Sequence, residues 1–377
     1  MATLFDIFWF FLKLGAFSFG GPNSHNKLME NELVTRKHIL DADTFQRLKK
    51  ESLSLPGPTS TQLAMKIGFY QKGALGMVVA GLSFILPSCL LMLVFALYYK
   101  ELGNGRFKVA DPFLYGIRVA IVAVLIYTGF VYCIRYIRDF KLLSIFLVVL
   151  AATLSGLNPI LLLLLSGCAY ALLRQMSAGK RSALAIILQS QPQILLPLLE
   201  NQKLLLLFVK IGSLMLGSSY IIFAFLKFDL VDTHIITLNT LLDSIAFGLF
   251  VPGPIFSVVT FIGYQLSSWQ GTLLALAGML IPTMLYAFLG STVLSRFLDS
   301  TVWRTFFRGL IVASLGILCA ASFIIGYETL VNYRQWILFV ICLLILIKWP
   351  KLNLLWIIII SANLGYLILH FLPVPAN

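Results

Sequence analysis

Apolar residues run along this chain in long blocks, among them Val78–Leu97, Ile117–Val131, Leu142–Leu173 and Leu204–Leu226, and polar residues gather between the blocks instead of alternating inside them. A helix needs about 20 consecutive apolar residues to cross a bilayer, whereas a barrel strand alternates over about 10. The pattern therefore predicts membrane-spanning helices. Composition agrees: 59% of the 377 residues are hydrophobic and 11% are charged, against roughly 25% charged in a soluble domain. Met1–Phe19 is apolar without a basic leader or a small-residue cleavage site, and reads as a retained helix. The five cysteines all fall inside apolar blocks and read as small hydrophobes.

The pattern repeats at an offset of about 195 residues. Phe11-Leu-Lys-Leu-Gly15 returns as Phe208-Val-Lys-Ile-Gly212, Pro56-Gly57-Pro58 as Pro252-Gly253-Pro254, Ile67-Gly68 as Ile262-Gly263, and Gly76 with Pro87 as Gly271 with Pro282. Two units follow, 1–174 and 204–377, joined by a linker over 175–203 that is expected to lie at the interface. Each unit holds six apolar segments, beginning with Leu4–Phe19 and Leu204–Leu226. The second segment of each, around Glu51–Tyr70 and Leu241–Gln265, contains Pro-Gly-Pro. Two prolines around a glycine remove two backbone donors and favour non-helical backbone, which membranes tolerate only where protein or water surrounds it.

Charge chooses between two topologies. The chain has 28 Lys+Arg against 15 Asp+Glu, a net +13. That excess alone would suit a nucleic-acid partner, but in a membrane chain basic residues mark the cytoplasmic loops. With the Pro-Gly-Pro segments re-entrant, 19 basic residues fall on one face and 5 on the other; with those segments spanning, the split is 15 to 9. The expected fold is an all-α polytopic membrane protein of two inverted structural repeats, each with about five spans and one re-entrant Pro-Gly-Pro segment, and with both termini outside.

Inverted repeats with interrupted helices are a recurring plan of secondary transporters, with the site where the repeats meet. A helix that begins inside the membrane aims unpaired N–H groups and a partial positive charge forward, which suits an anion. The breaks are Gly20-Gly21-Pro22, Pro56-Gly57-Pro58, Gly217-Ser218-Ser219-Tyr220 and Pro252-Gly253-Pro254. Gly-Gly-Pro alone commonly marks a helix end; recurrence in both halves favours the functional reading. Thr59, Ser60, Thr61 and Gln62 follow Pro58 as neutral donors that bind an oxyanion or cap the helix. Lys13 and Lys210 occupy equivalent places and are expected either to snorkel or to balance a divalent anion in a shared cavity. Lys66, Arg118 and Asp243 are further charges inside segments, Arg118 as a structural partner for an acid and Asp243 as a helix cap. His25 is a titratable side chain in a basic loop. No metal-ligand spacing, nucleophile elbow or P-loop is present, and no cofactor, metal or nucleic acid is expected.

The stretch Phe11–Pro22 with His25, Met29-Glu30, Glu32 and Val34 resembles the first signature of the chromate ion transporter family. Leu55–Ala64, Gly68 and Phe84-Ile-Leu-Pro87 resemble its second and third, and Lys210-Ile-Gly212, Gly217, Tyr220, Asp243, Pro252–Ile255 and Thr260–Tyr264 its C-terminal domain. The resemblance covers both halves and implies a two-domain, inner-membrane carrier of chromate or the isosteric sulfate, with export in several members. Four features depart from the family pattern: Arg47 in place of an acid, Leu53 and Leu249 in place of glutamine, Ser218-Ser219 in place of two glycines, and His38 in place of tryptophan. They bear on which anion is carried.

The expected activity is therefore alternating-access transport of chromate. Its site is expected to be Lys13, Gly20, Gly21, Pro22, His25, Pro56, Gly57, Pro58, Thr59, Ser60, Gln62, Lys210, Gly217, Ser218, Tyr220, Pro252, Gly253 and Pro254. Glu30, Glu51 and Asp243 are the proton-coupling candidates, and a homodimer in the bilayer is the expected assembly. The competing readings are a carrier of another inorganic or organic anion, or a membrane enzyme or subunit without transport; Pro22–Glu51, the longest polar loop, lacks the acidic or histidine cluster an enzyme would need.

Overall fold

A computed structural model describes residues 3–53, 55–101, 111–176, 200–292, 300–350, 352 and 354–371. Most of the linker expected over 175–203 lies outside the described residues. The first repeat runs α1 (Leu4–Phe17), α2 (Pro22–Glu30), α3 (Ala42–Leu53), α4 (Thr59–Glu101), α5 (Asp111–Tyr136), α6 (Phe140–Leu154) and α7 (Pro159–Met176). The second runs α8 (Glu200–Leu214), α9 (Ile221–Leu226), α10 (Leu238–Phe250), α11 (Val258–Thr292), α12 (Thr301–Thr329), α13 (Tyr333–Lys348) and α14 (Leu354–Phe371). All are helices, and five of those described are long and apolar enough to cross a membrane. The chain is an all-α, multi-pass membrane protein.

The two repeats match in irregular detail as well as in order. α2 and α9 each pass into a π-helical turn, Asn31–Arg36 and Lys227–Val231, and each turn is followed by a histidine with left-handed backbone, His38 (φ 48°) and His234 (φ 59°). α4 would be ~65 Å long if straight, about twice the hydrocarbon thickness. It is instead two arms, 59–71 and 74–101, folded back at Lys72 and Gly73. Gly68 and Gly76 meet across the fold so closely that neither has room for a Cβ; in a straight helix they would stand ~12 Å apart. α11 does the same at Ser267 and Ser268, with Gly263 against Gly271.

The stretch Pro22–Glu51, expected as a polar loop, is largely helical. Its polar residues occupy one side of short helices whose other side buries Met29, Leu33, Phe45 and Leu48. α2 also turns back along α1: Lys37 of the loop after its π turn lies over the Phe10 ring at 4.9 Å, and Lys210 of α8 meets Asp229 beyond α9 at 2.7 Å. The chain of each repeat thus doubles back at its first glycine break.

The repeats run in opposite directions. Phe69, near the α4 fold, packs on Phe288 at the far end of α11 (5.9 Å), while Gln265, near the α11 fold, donates to the Ala96 carbonyl at the far end of α4 (3.1 Å). They also exchange partners. α5 seats Gly116 on Ser361 and Gly365 of α14, and α12 seats Gly309 on Ser166 and Gly167 of α7, so each half completes the other's packing.

Candidate functional site

The four breaks meet at the interface between repeats. Each contains a glycine with positive φ: Gly20 (107°), Gly57 (117°), Gly217 (75°) and Gly253 (111°), a region costly for other residues. The Gly57 N–H donates to the Met215 carbonyl at 2.5 Å, and the Gly253 N–H donates to the Ser18 carbonyl at 2.8 Å. Ser18 and Met215 are equivalent in the two repeats, as are Gly57 and Gly253, so one hydrogen bond is the symmetry mate of the other. Each Pro-Gly-Pro is thereby tied to the glycine break of the opposite repeat. Ser88 packs on Gly253, and Thr283 approaches Gly57.

The structure gathers most of the expected site residues here. Pro22, Pro56, Gly57, Pro58, Thr59, Ser60, Gln62, Ser218, Tyr220, Gly253 and Pro254 are buried; Gly20, Gly21, Gly217 and Pro252 are half-buried. Gly21 faces the Tyr220 hydroxyl. His25 is 1% exposed, packed edge-on against Phe84, with Nδ1 3.3 Å from Ser60 Oγ. It is therefore no solvated loop residue; it joins the helix after one break to the helix after the other. Gln62 reaches back to donate from Nε2 to the Pro56 carbonyl. The first-turn N–H groups of α4 lack partners within their own helix, while at α2 Pro22 carries no N–H and the Ser24 N–H donates to the Gly21 carbonyl at 2.9 Å; the positive end of a helix dipole lies at both breaks.

The two lysines are not brought together. Lys13 is exposed on the outside of α1, its ammonium 5.1 Å from the Trp9 ring centroid, and lines a cavity of about 480 Å³ with Phe5, Asp6, Glu32 and Lys37. Lys210 is paired with Asp229. The carboxylates proposed for proton coupling all have partners. Glu30 accepts from Gln46 (2.7 Å) and pairs with Lys49 (3.4 Å). Glu51 pairs with the fully buried Lys66 at 2.8 Å. Asp243 is held by Arg118 through Nε and Nη2, both at 2.7 Å, and by the Tyr99 hydroxyl at 2.9 Å. Arg118 is thus the partner for an acid, and that acid belongs to the other repeat; Asp243 does not cap α10, whose N-cap is Thr237.

Sequence reasoning missed Ser18, Asn26, Ser88 and Thr283 at the breaks. The signal for Ser88 and Thr283 was their position directly after the equivalent prolines Pro87 and Pro282. The missed Tyr99 had no local signal, because it meets Asp243 144 positions away in sequence.

A family model described as chromate transporter matches residues 5–171 and 202–366. The chain belongs to the chromate transporter family. It is 26% identical to the chromate transport protein of Cupriavidus metallidurans, over 98% of this chain and 94% of that one. It is 25% identical to the chromate transport protein of Pseudomonas aeruginosa, over 96% and 92%, and 25% identical to an uncharacterized transporter of Methanocaldococcus jannaschii, over 97% and 94%. No solved structure matches it. As a member of the chromate transporter family it is a secondary membrane transporter; among the described residues no cluster of metal-binding side chains occurs.

Proposed function

We propose that this chain carries chromate, or a closely related oxyanion such as sulfate, across the inner membrane by alternating access, in the direction of export. The observation that carries the reading is the pair of symmetry-related hydrogen bonds, Gly57 to Met215 and Gly253 to Ser18. They tie four glycine breaks into one knot at the repeat interface, where secondary transporters bind their substrates. Two helix N-termini and the donors of Thr59, Ser60 and Thr61 border that knot, an arrangement suited to an oxyanion. Lys13 and Lys210 are left out of the site on this reading, one exposed and the other neutralised by Asp229.

Both Pro-Gly-Pro segments are read as re-entrant, entering from opposite faces. Glu51 lies just before the break and Lys66 well after it, yet they touch, so the segment turns back on itself instead of running on. Phe247 and Phe261 make the equivalent contact in the second repeat (5.5 Å).

The test is flux of labelled chromate and of labelled sulfate into proteoliposomes, with and without a pH gradient. Chromate movement that is lost in Gly57→Ala and kept in Lys13→Gln is expected. Equal flux in the wild type and Gly57→Ala would overturn the assignment of the site. The departures at Leu53 and Leu249 favour a second reading, a carrier of a different oxyanion, which competition by a panel of oxyanions separates from the first.

A further inference from the structure

The pseudo-symmetry of the knot is not carried through to its chemistry. Ser18, His25 and Asn26 of the first repeat stand where the second has Met215, Ile222 and Phe223. Counting from Pro-Gly-Pro, Ser60 and Gln62 give way to Phe256 and Val258. The second repeat supplies an apolar wall, one bracing carbonyl and the hydroxyls of Ser218, Tyr220 and Thr283; the first supplies the imidazole of His25 and the amides of Asn26 and Gln62.

Those polar side chains are incompletely satisfied. Ser18 Oγ, His25 Nε2, Asn26 Oδ1, Thr61 Oγ1 and Gln62 Oε1 are buried without a hydrogen-bond partner, five of the eight such atoms among the described residues. All five residues are at most 3% exposed. Buried polar groups are normally paired, and leaving one unpaired is costly. Their concentration beside two helix N-termini, bridged by the His25–Ser60 contact, marks groups held ready for a ligand.

The kind of atom decides which ligand. Gln62 Nε2 is already committed to the Pro56 carbonyl, which fixes Oε1 as the free end, and an amide oxygen only accepts hydrogen bonds. Asn26, whose amide no hydrogen bond orients, can turn either its oxygen or its NH2 to a ligand. A fully ionised oxyanion has nothing to donate to Gln62 Oε1 and is repelled by it, whereas an oxyanion that keeps one proton presents a hydroxyl to that acceptor and bare oxygens to Ser18, Thr61 and the N–H groups. The next charge along α4, Lys66, is taken up by Glu51, so the site's own side chains are neutral donors and acceptors and suit one negative charge better than two.

We propose that the first repeat's two breaks form a single substrate site, and that it takes a tetrahedral oxyanion carrying one proton, the hydrogen-chromate class, with Gln62 as the residue that reads the proton. This inference rests on the transport reading above. The proton then travels on the substrate, consistent with Glu30, Glu51 and Asp243 each being engaged by a cation. Every turnover moves one net negative charge, so a membrane potential negative inside drives export.

The test uses the full chain in proteoliposomes at fixed total chromate from pH 6 to 9, with sulfate and phosphate as competitors. Above chromate's own second ionisation, flux is expected to fall roughly tenfold per pH unit, as the protonated anion does. Plotted against hydrogen chromate, the data should collapse onto one curve, with phosphate competing better than sulfate. Gln62→Met should weaken the preference for phosphate over sulfate. Flux that follows the dianion, or sulfate competing as well as phosphate, overturns the proposal and leaves the transport reading standing. Absence of flux for every oxyanion overturns that reading and this inference with it.

Discussion

The Arg118–Asp243 pair joins the two repeats through two hydrogen bonds, with a third to the same carboxylate from Tyr99, and its contribution can be measured by removing the partners one at a time. Asp243 is 1% exposed and Arg118 24%. Arg118→Leu leaves a buried carboxylate with only the Tyr99 hydroxyl, and an uncompensated buried charge of this kind costs about 3–5 kcal/mol. Removing both charges in Arg118→Leu/Asp243→Leu abolishes that penalty, since apolar replacement of a whole buried pair is often close to neutral. The double variant should therefore be more stable than Arg118→Leu alone, with a coupling energy of at least about 2 kcal/mol. The assay is equilibrium unfolding in mixed micelles for the wild type, both single variants and the double. Destabilisations that simply add, within about 0.5 kcal/mol, would show that the two groups do not depend on each other and would refute the reasoning.

Three other outcomes are expected. Cysteines placed at Lys72 and Ser267 should be labelled from opposite faces of the membrane, and labelling of both from one face would rule out inverted repeats. Gly68→Leu should cost at least about 1–3 kcal/mol through overpacking, read as a lower yield of monodisperse protein in detergent; a yield equal to that of the wild type would contradict the close approach of Gly68 to Gly76. Cys133 of α5 and Cys319 of α12 have sulfurs 3.9 Å apart. Mild oxidation should cross-link them, so that a chain cleaved at a protease site inserted between 176 and 200 keeps its halves together until reduced; separation without a reductant would contradict the α5–α12 packing.

The repeat, its breaks and the opposed orientation were legible because each leaves a local signature: glycine and proline at fixed offsets, and an uneven share of basic loops. The course of Pro22–Glu51 was not, because helices with one polar side inside a membrane protein look like a loop when judged by hydropathy. The choice between the two readings of the lysines was hidden for a related reason. Equivalent positions in inverted repeats need not approach each other, and whether a helix turns Lys13 outward depends on packing that a single segment does not encode. Arg118 and Asp243 each stood out as charges in apolar surroundings, but their pairing spans 125 positions and follows only from the fold. The equivalence of the Glu51–Lys66 ion pair with the Phe247–Phe261 ring pair was likewise hidden, since no residue-type pattern links a carboxylate to a phenyl ring.

The exchange of partners between halves also bears on how the protein is made. As the first half is synthesised, Gly116 of α5 and the Ser166–Gly167 surface of α7 emerge with nothing to receive them, because α14 and α12 belong to residues translated later. Chains generally fold domain by domain from the N-terminus, but here the early half must wait in the bilayer with open grooves until the last helix arrives. A nonsense mutation anywhere before α14 therefore strands an unfinished surface, and the surveillance proteases of the membrane meet a target that no amount of intact N-terminal sequence can hide.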